Sequence, residues 1–313
     1  MTAKAGHPDQ ADRAALGQVQ EGSALIPVLA VVGVGLIGGS FAAALRKRGA
    51  VGRVLGVGRR SSSLARAREL GLIDDAATLE QAAAQADLIF LSTPVGATGA
   101  LLKTLRPLLR PETLVTDAGS TKANVVQAAR EALGDRIGQF VPGHPIAGTE
   151  RTGPEAADAA LYRGCNVVLT PLAENSAAHK AMITKAWECC GARVMSMEPE
   201  THDTVLASVS HVPHFLSSVY MWQVATAHDS DLRMALAGTG FRDFTRISAG
   251  SAEMWRDIFL GNRSAVLAEL REVKAALLQA EQALLAADGD ELQNFLERAA
   301  LARRFWGSRS GLS

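Results

Sequence analysis

The sequence predicts an α/β protein: a doubly wound parallel sheet in its first two thirds, then an all-helical domain. Three observations carry this. Short apolar runs alternate with helix-length segments from residue 28 to residue 197, the strand–helix–strand order of a parallel sheet. Most runs, such as 28–32 and 88–91, lack polar/apolar alternation, as expected of strands buried on both faces. Beyond residue 198 no convincing strand occurs. There Val266, Leu270, Val273, Leu277, Ala280 and Leu284 fall at spacings of four and three, which makes a helix with one apolar seam.

Residues 1–26 begin polar and Ala/Gln-rich, lack the basic-then-apolar layout of a signal peptide, and read as a flexible tail. The uncharged stretch 23–45 is long enough to cross a bilayer. Pro27 and Gly33, Gly35, Gly38 and Gly39 interrupt it, so a buried strand, a tight turn and a buried helix explain it better. Strands are expected over 28–32, 53–57, 88–91, 113–116, 139–141, 166–169 and 193–197, within a dinucleotide-binding domain spanning 27–198. Helices are expected over 40–48, 62–70, 99–108, 122–133 and 177–190. In the second domain, 199–313, a long helix over 200–226 should kink at Pro213. A further helix over 292–301 follows a break at Gly289. These helices either pack only on each other or also pair two copies of the chain; a homodimer through the helical domain is the expectation.

The segment Val-Val-Gly33-Val-Gly35-Leu36-Ile37-Gly38-Gly39-Ser40 fits GxGxxG, and its context supports that match: a strand precedes it and a helix follows. Gly33 makes the tight turn, Gly35 lets the backbone approach a pyrophosphate, and Gly38 lets helix and strand pack closely. With Leu36 and Ile37 they form a Rossmann-like cradle whose helix N–H groups receive the phosphates. An NAD site usually carries a carboxylate about 20 residues on, for the ribose 2′-hydroxyl. Here that place is Gly58, followed by Arg59, Arg60, Ser61 and Ser62. Two arginines and two hydroxyls suit a 2′-phosphate, so NADP is favoured over NAD. Ser92, Thr93 and Pro94 end the third strand, where cofactors bind in such sheets, and Ser120 opens the helix after the fourth.

His144 follows the fifth strand in Gly-His-Pro-Ile-Ala-Gly, on a Gly/Pro loop suited to acid–base work. His211 and His214 lie three apart on a helix, with no acidic third ligand near, so no metal is expected. Arg246, in Phe241-Arg-Asp243-Phe-Thr-Arg246, has the side chain for gripping a carboxylate, although an Arg–Asp surface network fits the same segment.

Together these blocks resemble the prephenate/arogenate (cyclohexadienyl) dehydrogenase family of tyrosine biosynthesis, from about residue 28 to residue 262 and in the same order. They comprise GxGLIGGS, Asp-x-Gly-Ser-x-Lys at 117–122, Gly-His-Pro-Ile-Ala-Gly at 143–148, Ser-His-x-Pro-His at 210–214, and Phe-x-Asp-Phe-Thr-Arg with Met-Trp-Arg-Asp at 254–257. The resemblance implies oxidative decarboxylation of a cyclohexadienol, with hydride passing to NAD(P). It implies that His144 takes the ring hydroxyl's proton, that Ser120 bonds the same hydroxyl, and that Arg246 pairs with a substrate carboxylate. It further implies that His214 lines the pocket, with Thr149, Glu150 and Asp243 at its edge. Rival readings are a β-hydroxyacid dehydrogenase, whose helical catalytic lysine is not found, and an NADP-sensing regulator without chemistry.

The composition excludes other classes. Thirty-two basic residues balance thirty-two acidic ones, so no electrostatic footprint for nucleic acid or an anionic membrane exists. Three cysteines make no disulfide framework and fit a reducing cytosol.

Overall fold

The protein is described by a computed structural model covering residues 24–149 and 151–310. The expectation for Glu150 and most of the expected tail lie outside the described residues. Six strands form a parallel sheet in the order β3-β2-β1-β4-β5-β6. These are β1 (Ile26–Val32), β2 (Val51–Val57), β3 (Asp75–Ala76), β4 (Leu88–Leu91), β5 (Leu114–Asp117) and β6 (Phe140–Val141). The connecting helices are α1 (Leu36–Lys47), α2 (Ser61–Glu69), α3 (Leu79–Gln85), α4 (Thr98–Leu105) and α5 (Ala123–Leu133). Strand β4 shows why its sequence has no alternation. Leu88 and Phe90 enter one core with Phe41 and Trp187, while Ile89 and Leu91 enter the opposite core with Val115 and Phe140.

The sheet does not continue through all seven expected strands. Pro142 has no N–H to extend the ladder. The next amide, Gly143 N–H, donates to Asp117 Oδ1 at 3.0 Å instead of to a strand. The chain then starts a second sheet from β7 (Gly143–Pro145), β8 (Asn166–Leu169) and β9 (Arg193–Ser196). Strand β7 runs antiparallel to β8, and β8 parallel to β9, with α6 (Ala177–Cys189) between those two. His144 therefore sits on a strand, not on the loop expected for it.

From Pro199 onward the described chain is helical. The expected kinked helix is α7 (Pro199–Leu206), one π-helical turn at Ala207–His211, and α8 (Val212–Ala225). Pro213 lacks the N–H that would bond the carbonyl four residues back. One residue earlier, the Val212 N–H reaches back five residues to the Ala207 carbonyl. There follow α9 (Ser230–Ala235), α10 (Thr239–Thr245), α11 (Ala252–Gly261), α12 (Arg263–Leu285) and α13 (Gly289–Ser310). The α12 seam is used at one end only. Val266, Leu270 and Val273 pack against Ala207 and Val212, whereas Leu277 and Leu284 are each 66% exposed. No helix among the described residues is long and apolar enough to cross a membrane.

Candidate active site

The cradle is a backbone object. Gly33 has φ +97°, a conformation that L side chains rarely adopt, and a Cβ there would lie 2.6 Å from the Ser92 carbonyl oxygen. A Cβ on Gly38 would collide with Ser92 Oγ, the Gly33 carbonyl and Val31. Gly35 is different: a Cβ there would meet nothing within 4 Å, so its surface faces open space. Helix α1 has no side-chain cap and no acidic residue in its first turn, so its leading N–H groups have no side-chain acceptor. Ser92 is a fastener of this turn, donating to the Gly33 carbonyl at 2.7 Å. Beside it Thr93 Oγ1 is buried with no hydrogen-bond partner in the protein. An open glycine, an uncapped helix and an orphaned hydroxyl together fit a dinucleotide.

At the end of β2, Gly33 N–H takes the Val57 carbonyl at 2.9 Å, which brings 57–61 beside the cradle. Arg59, Arg60 and Ser61 are exposed at the start of α2, and neither arginine has an ion pair among the described residues. Pro94 precedes the 3₁₀ turn Val95–Ala97, against which α11 packs.

The chemical face is built by side chains that the sequence separates. Asp117, at the end of β5, receives Gly119 N–H at 2.8 Å and the Lys122 ammonium at 2.5 Å. Lys122 is fully buried and also donates to the Gly143 carbonyl at 2.7 Å. This lysine thus ties the loop carrying Ser120 to the strand carrying His144. His144, also buried, has Nδ1 2.9 Å from His202 Nε2. His202 Nδ1 lies 2.8 Å from Asp203 Oδ1. The Asp203 carboxylate accepts the Lys122 and Ala123 amides, at 2.8 and 2.9 Å, at the start of α5.

These contacts fix the tautomers. An ionised carboxylate only accepts, so His202 Nδ1 carries the proton and, in the neutral ring, Nε2 is an acceptor. His144 Nδ1 must then donate to it. The lone pair of His144 is left on Nε2, the arrangement a general base requires. Burial holds the His144 pKa well below its ordinary value, and His202, Lys122 and His211 push the same way.

The π turn decides which residues share a face. On a straight α-helix at about 100° per residue, Asp203 and His211 would stand about 80° apart and His202 and His214 about 120° apart. One extra residue in the turn removes about 100°, bringing each pair to within about 20°. His214 stacks flat on Trp255, with centroids 3.5 Å apart and planes 13° apart. Burial lowers its pKa to about 4. Among the described residues no cluster of three His, Cys, Asp or Glu suits a metal ion.

Ser120 is half-buried on the loop before α5. Arg246 opens a 3₁₀ turn, Arg246–Ala249, that packs against α8, the helix bearing His214. Thr149 and Asp243 are exposed; Thr149 Oγ1 accepts the Arg151 amide at 3.2 Å, and Asp243 pairs with Arg242 at 3.4 Å. Sequence reasoning missed His202 and Asp203. A His–Asp pair in the second turn of a helix reads as a solvated polar face, and nothing local marks the pair as buried.

Two family models match consecutive stretches of the chain: "Prephenate dehydrogenase, nucleotide-binding domain" over residues 41–196 and "Prephenate dehydrogenase, dimerization domain" over 198–298. A cyclohexadienyl dehydrogenase of Zymomonas mobilis is 34% identical over 88% of this chain and 94% of its own. The crystal structure of Aquifex aeolicus prephenate dehydrogenase, in complex with hydroxyphenyl propionate and NAD+, has a TM-score of 0.83. It is 34% identical, covering 89% of this chain and 97% of that one. A Synechocystis arogenate dehydrogenase structure has a TM-score of 0.75 at 31% identity, covering 89% and 99%. The cradle, the buried histidine and these matches agree: the chain belongs to the prephenate (cyclohexadienyl) dehydrogenase family, NAD(P)-dependent enzymes with a nucleotide-binding domain followed by a helical dimerization domain.

Proposed function

We propose that this protein oxidatively decarboxylates prephenate, arogenate or both, and that His144 Nε2 is the base. The observation that carries the reading is the chain from Asp203 through His202 to His144, which leaves a lone pair on Nε2 of a buried, neutral imidazole. Nε2 takes the proton of the substrate's ring hydroxyl. Bound cofactor supplies the acceptor for the hydride from the same carbon. The bond to the ring carboxylate then breaks as carbon dioxide leaves. Its electron pair passes through the ring to the newly formed carbonyl oxygen, which takes the proton back from His144 as the ring becomes aromatic, so no metal is required for that step. Ser120 hydrogen-bonds the reacting hydroxyl. Arg246 pairs with a substrate carboxylate and orients the ring. His214, kept neutral against Trp255, lines the pocket, and Thr149, Glu150 and Asp243 lie at its edge.

Gly33, Gly35, Leu36, Ile37 and Gly38 hold the pyrophosphate, with Ser92, Thr93 and Pro94 along the same wall. Arg59, Arg60 and Ser61 receive a 2′-phosphate, so NADP is preferred over NAD. Support comes from the missing carboxylate at Gly58 and from two exposed arginines with no ion pair among the described residues. The functional division falls at 198/199, and two copies pair through the apolar faces of the helical half, where Trp222 is 71% and Leu285 74% exposed. Three free cysteines support a cytosolic location.

The test is a rate assay with both substrates against both cofactors. Reduction of NADP with at least one substrate, at higher kcat/KM than NAD, is expected. Replacing Arg59 and Arg60 together by Ala should raise KM for NADP about 10–100-fold, the loss of charge-assisted bonds, and leave NAD within about twofold. Equal effects on both cofactors would refute the 2′-phosphate site.

A further inference from the structure

Tyr162 lies just before β8, is fully buried and plays no part in the proposed chemistry. Its ring packs edge-on against Trp187, with centroids 5.1 Å apart and planes at 80°, and Trp187 packs on Phe41 of α1. Its hydroxyl donates to the Ile37 carbonyl at 2.6 Å. That carbonyl belongs to the first turn of α1, where the helix supplies it with the N–H four residues on. The phenol takes its second lone pair. A peptide has two ends, and the unit whose oxygen receives Tyr162 carries the Gly38 N–H at the other. The α1 ladder starts with Gly39 N–H, which donates to the Gly35 carbonyl at 2.8 Å. The N–H groups of Leu36, Ile37 and Gly38 precede that ladder and point out of the helix start. Tyr162 therefore stands directly behind an amide of the phosphate cradle.

We infer that Tyr162 is a positioning residue for the cofactor: its hydroxyl clamps the Ile37–Gly38 peptide, aims the Gly38 N–H at the pyrophosphate and strengthens it as a donor. A hydrogen bond to a peptide oxygen polarises the unit and makes its N–H a better donor. The same bond restrains the tilt of the peptide plane in the first turn of the helix. The inference rests on the proposed placing of the pyrophosphate at Gly33–Gly38.

A second tie joins the same segment to α1, from Asp158 N–H to Ser40 Oγ at 2.8 Å. It ends on a side chain and touches no peptide of the cradle, so it is an internal control. Burial holds the Tyr162 pKa well above its ordinary value, so the phenol stays a donor.

The experiment uses Tyr162→Phe, which keeps the ring and its packing and deletes only the hydroxyl. The probe is ADP-ribose, which carries the pyrophosphate without the nicotinamide, titrated calorimetrically into the intact protein. Tyr162→Phe should raise its Kd about three- to tenfold, the worth of one hydrogen bond. KM for NADP should rise with it, while kcat stays within about twofold of wild type. Ki for adenosine, which has no phosphate, should not change. Ser40→Ala should leave the Kd for ADP-ribose within about twofold of wild type. An unchanged Kd in Tyr162→Phe, or an equal rise in Ser40→Ala or for adenosine, would overturn the inference, because the hydroxyl would then only hold the segment before β8 in place. Unaltered ADP-ribose binding in Gly35→Ala would instead overturn the placing of the pyrophosphate on which it rests.

Discussion

The cofactor cradle and the chemical face adjoin within one molecule but are made of different materials. The cradle is backbone: Gly33 at φ +97°, Gly38 pressed on Ser92 and Gly35 open, all within six residues and one neighbouring strand. The face is side chains: Asp117, Lys122, His144, His202, Asp203 and Asn262, drawn from β5, the start of α5, β7, α7 and the end of α11. A backbone site is specified by what it forbids, namely a Cβ. A side-chain site is specified by partners, so each member depends on the rest. The cradle should therefore tolerate changes that leave its shape, while the face should fail wherever its chain of hydrogen bonds is cut.

The largest effect tests the end of that chain. His144→Asn should lower kcat by about 10²–10⁴-fold, the usual worth of a general base, with KM for the cofactor unchanged. Turnover near wild type would mean that another group takes the proton. Lys122→Met removes one member of a buried ion pair and leaves the Asp117 charge unpaired. Urea unfolding should register a loss of about 3–5 kcal/mol. A loss under about 1 kcal/mol would mean that this lysine is not what binds the Ser120 loop to β7.

In the cradle the two glycines should separate. Gly38→Ala must displace Ser92 or the Gly33 carbonyl and should cost about 1–3 kcal/mol of stability. Gly35→Ala meets no protein atom, so it should leave Tm unchanged while weakening cofactor binding, measured by titration. If both changes affect Tm alike, Gly35 does not face the ligand.

The pH dependence follows from the lowered pKa values of His144, His211 and His214. Each is neutral in the fold, whereas in the unfolded chain it takes up a proton near pH 6.5. The unfolded state then binds more protons, so stability is greatest above about pH 6.5 and falls as pH drops toward 4. Because His144 stays neutral below its ordinary pKa, the acid limb of kcat should lie below that of a free imidazole. A limb at or above pH 6.5 would contradict its burial. The smallest effect belongs outside both regions. Arg66 on α2 bonds Glu69 and Glu155 at the surface, and Arg66→Ala should leave Tm essentially unchanged; a clear drop in thermal unfolding would mean that these pairs anchor α2.

The two regions differ in legibility for the same reason. Gly33, Gly35 and Gly38 are readable because a tight turn imposes its constraint within a few residues. Ser120, His144, Arg246 and His214 were reached through a resemblance of blocks, and the spacing of those blocks alone would not have joined them. His202 and Asp203 were not reached at all. Their bonds cross 58 residues to His144 and about 80 to the start of α5. Such pairings exist only because α7 packs on α5. The strand assignments for 139–141, 166–169 and 193–197 located the elements but not their grouping, which turned on Pro142 and the Asp117 carboxylate.

The sequence by itself determined the main alternation of strands and helices in the first domain, the glycine-rich turn between β1 and α1 and the absence of a carboxylate at Gly58. Those follow from periodicity and from the steric demands of single residues, which act locally. The tertiary structure decided the second sheet, the π turn that aligns Asp203 with His211 and His202 with His214, and the tautomer of His144. A hydrogen bond between distant side chains has no local signature; it exists only once packing has excluded water and left each buried donor a single acceptor.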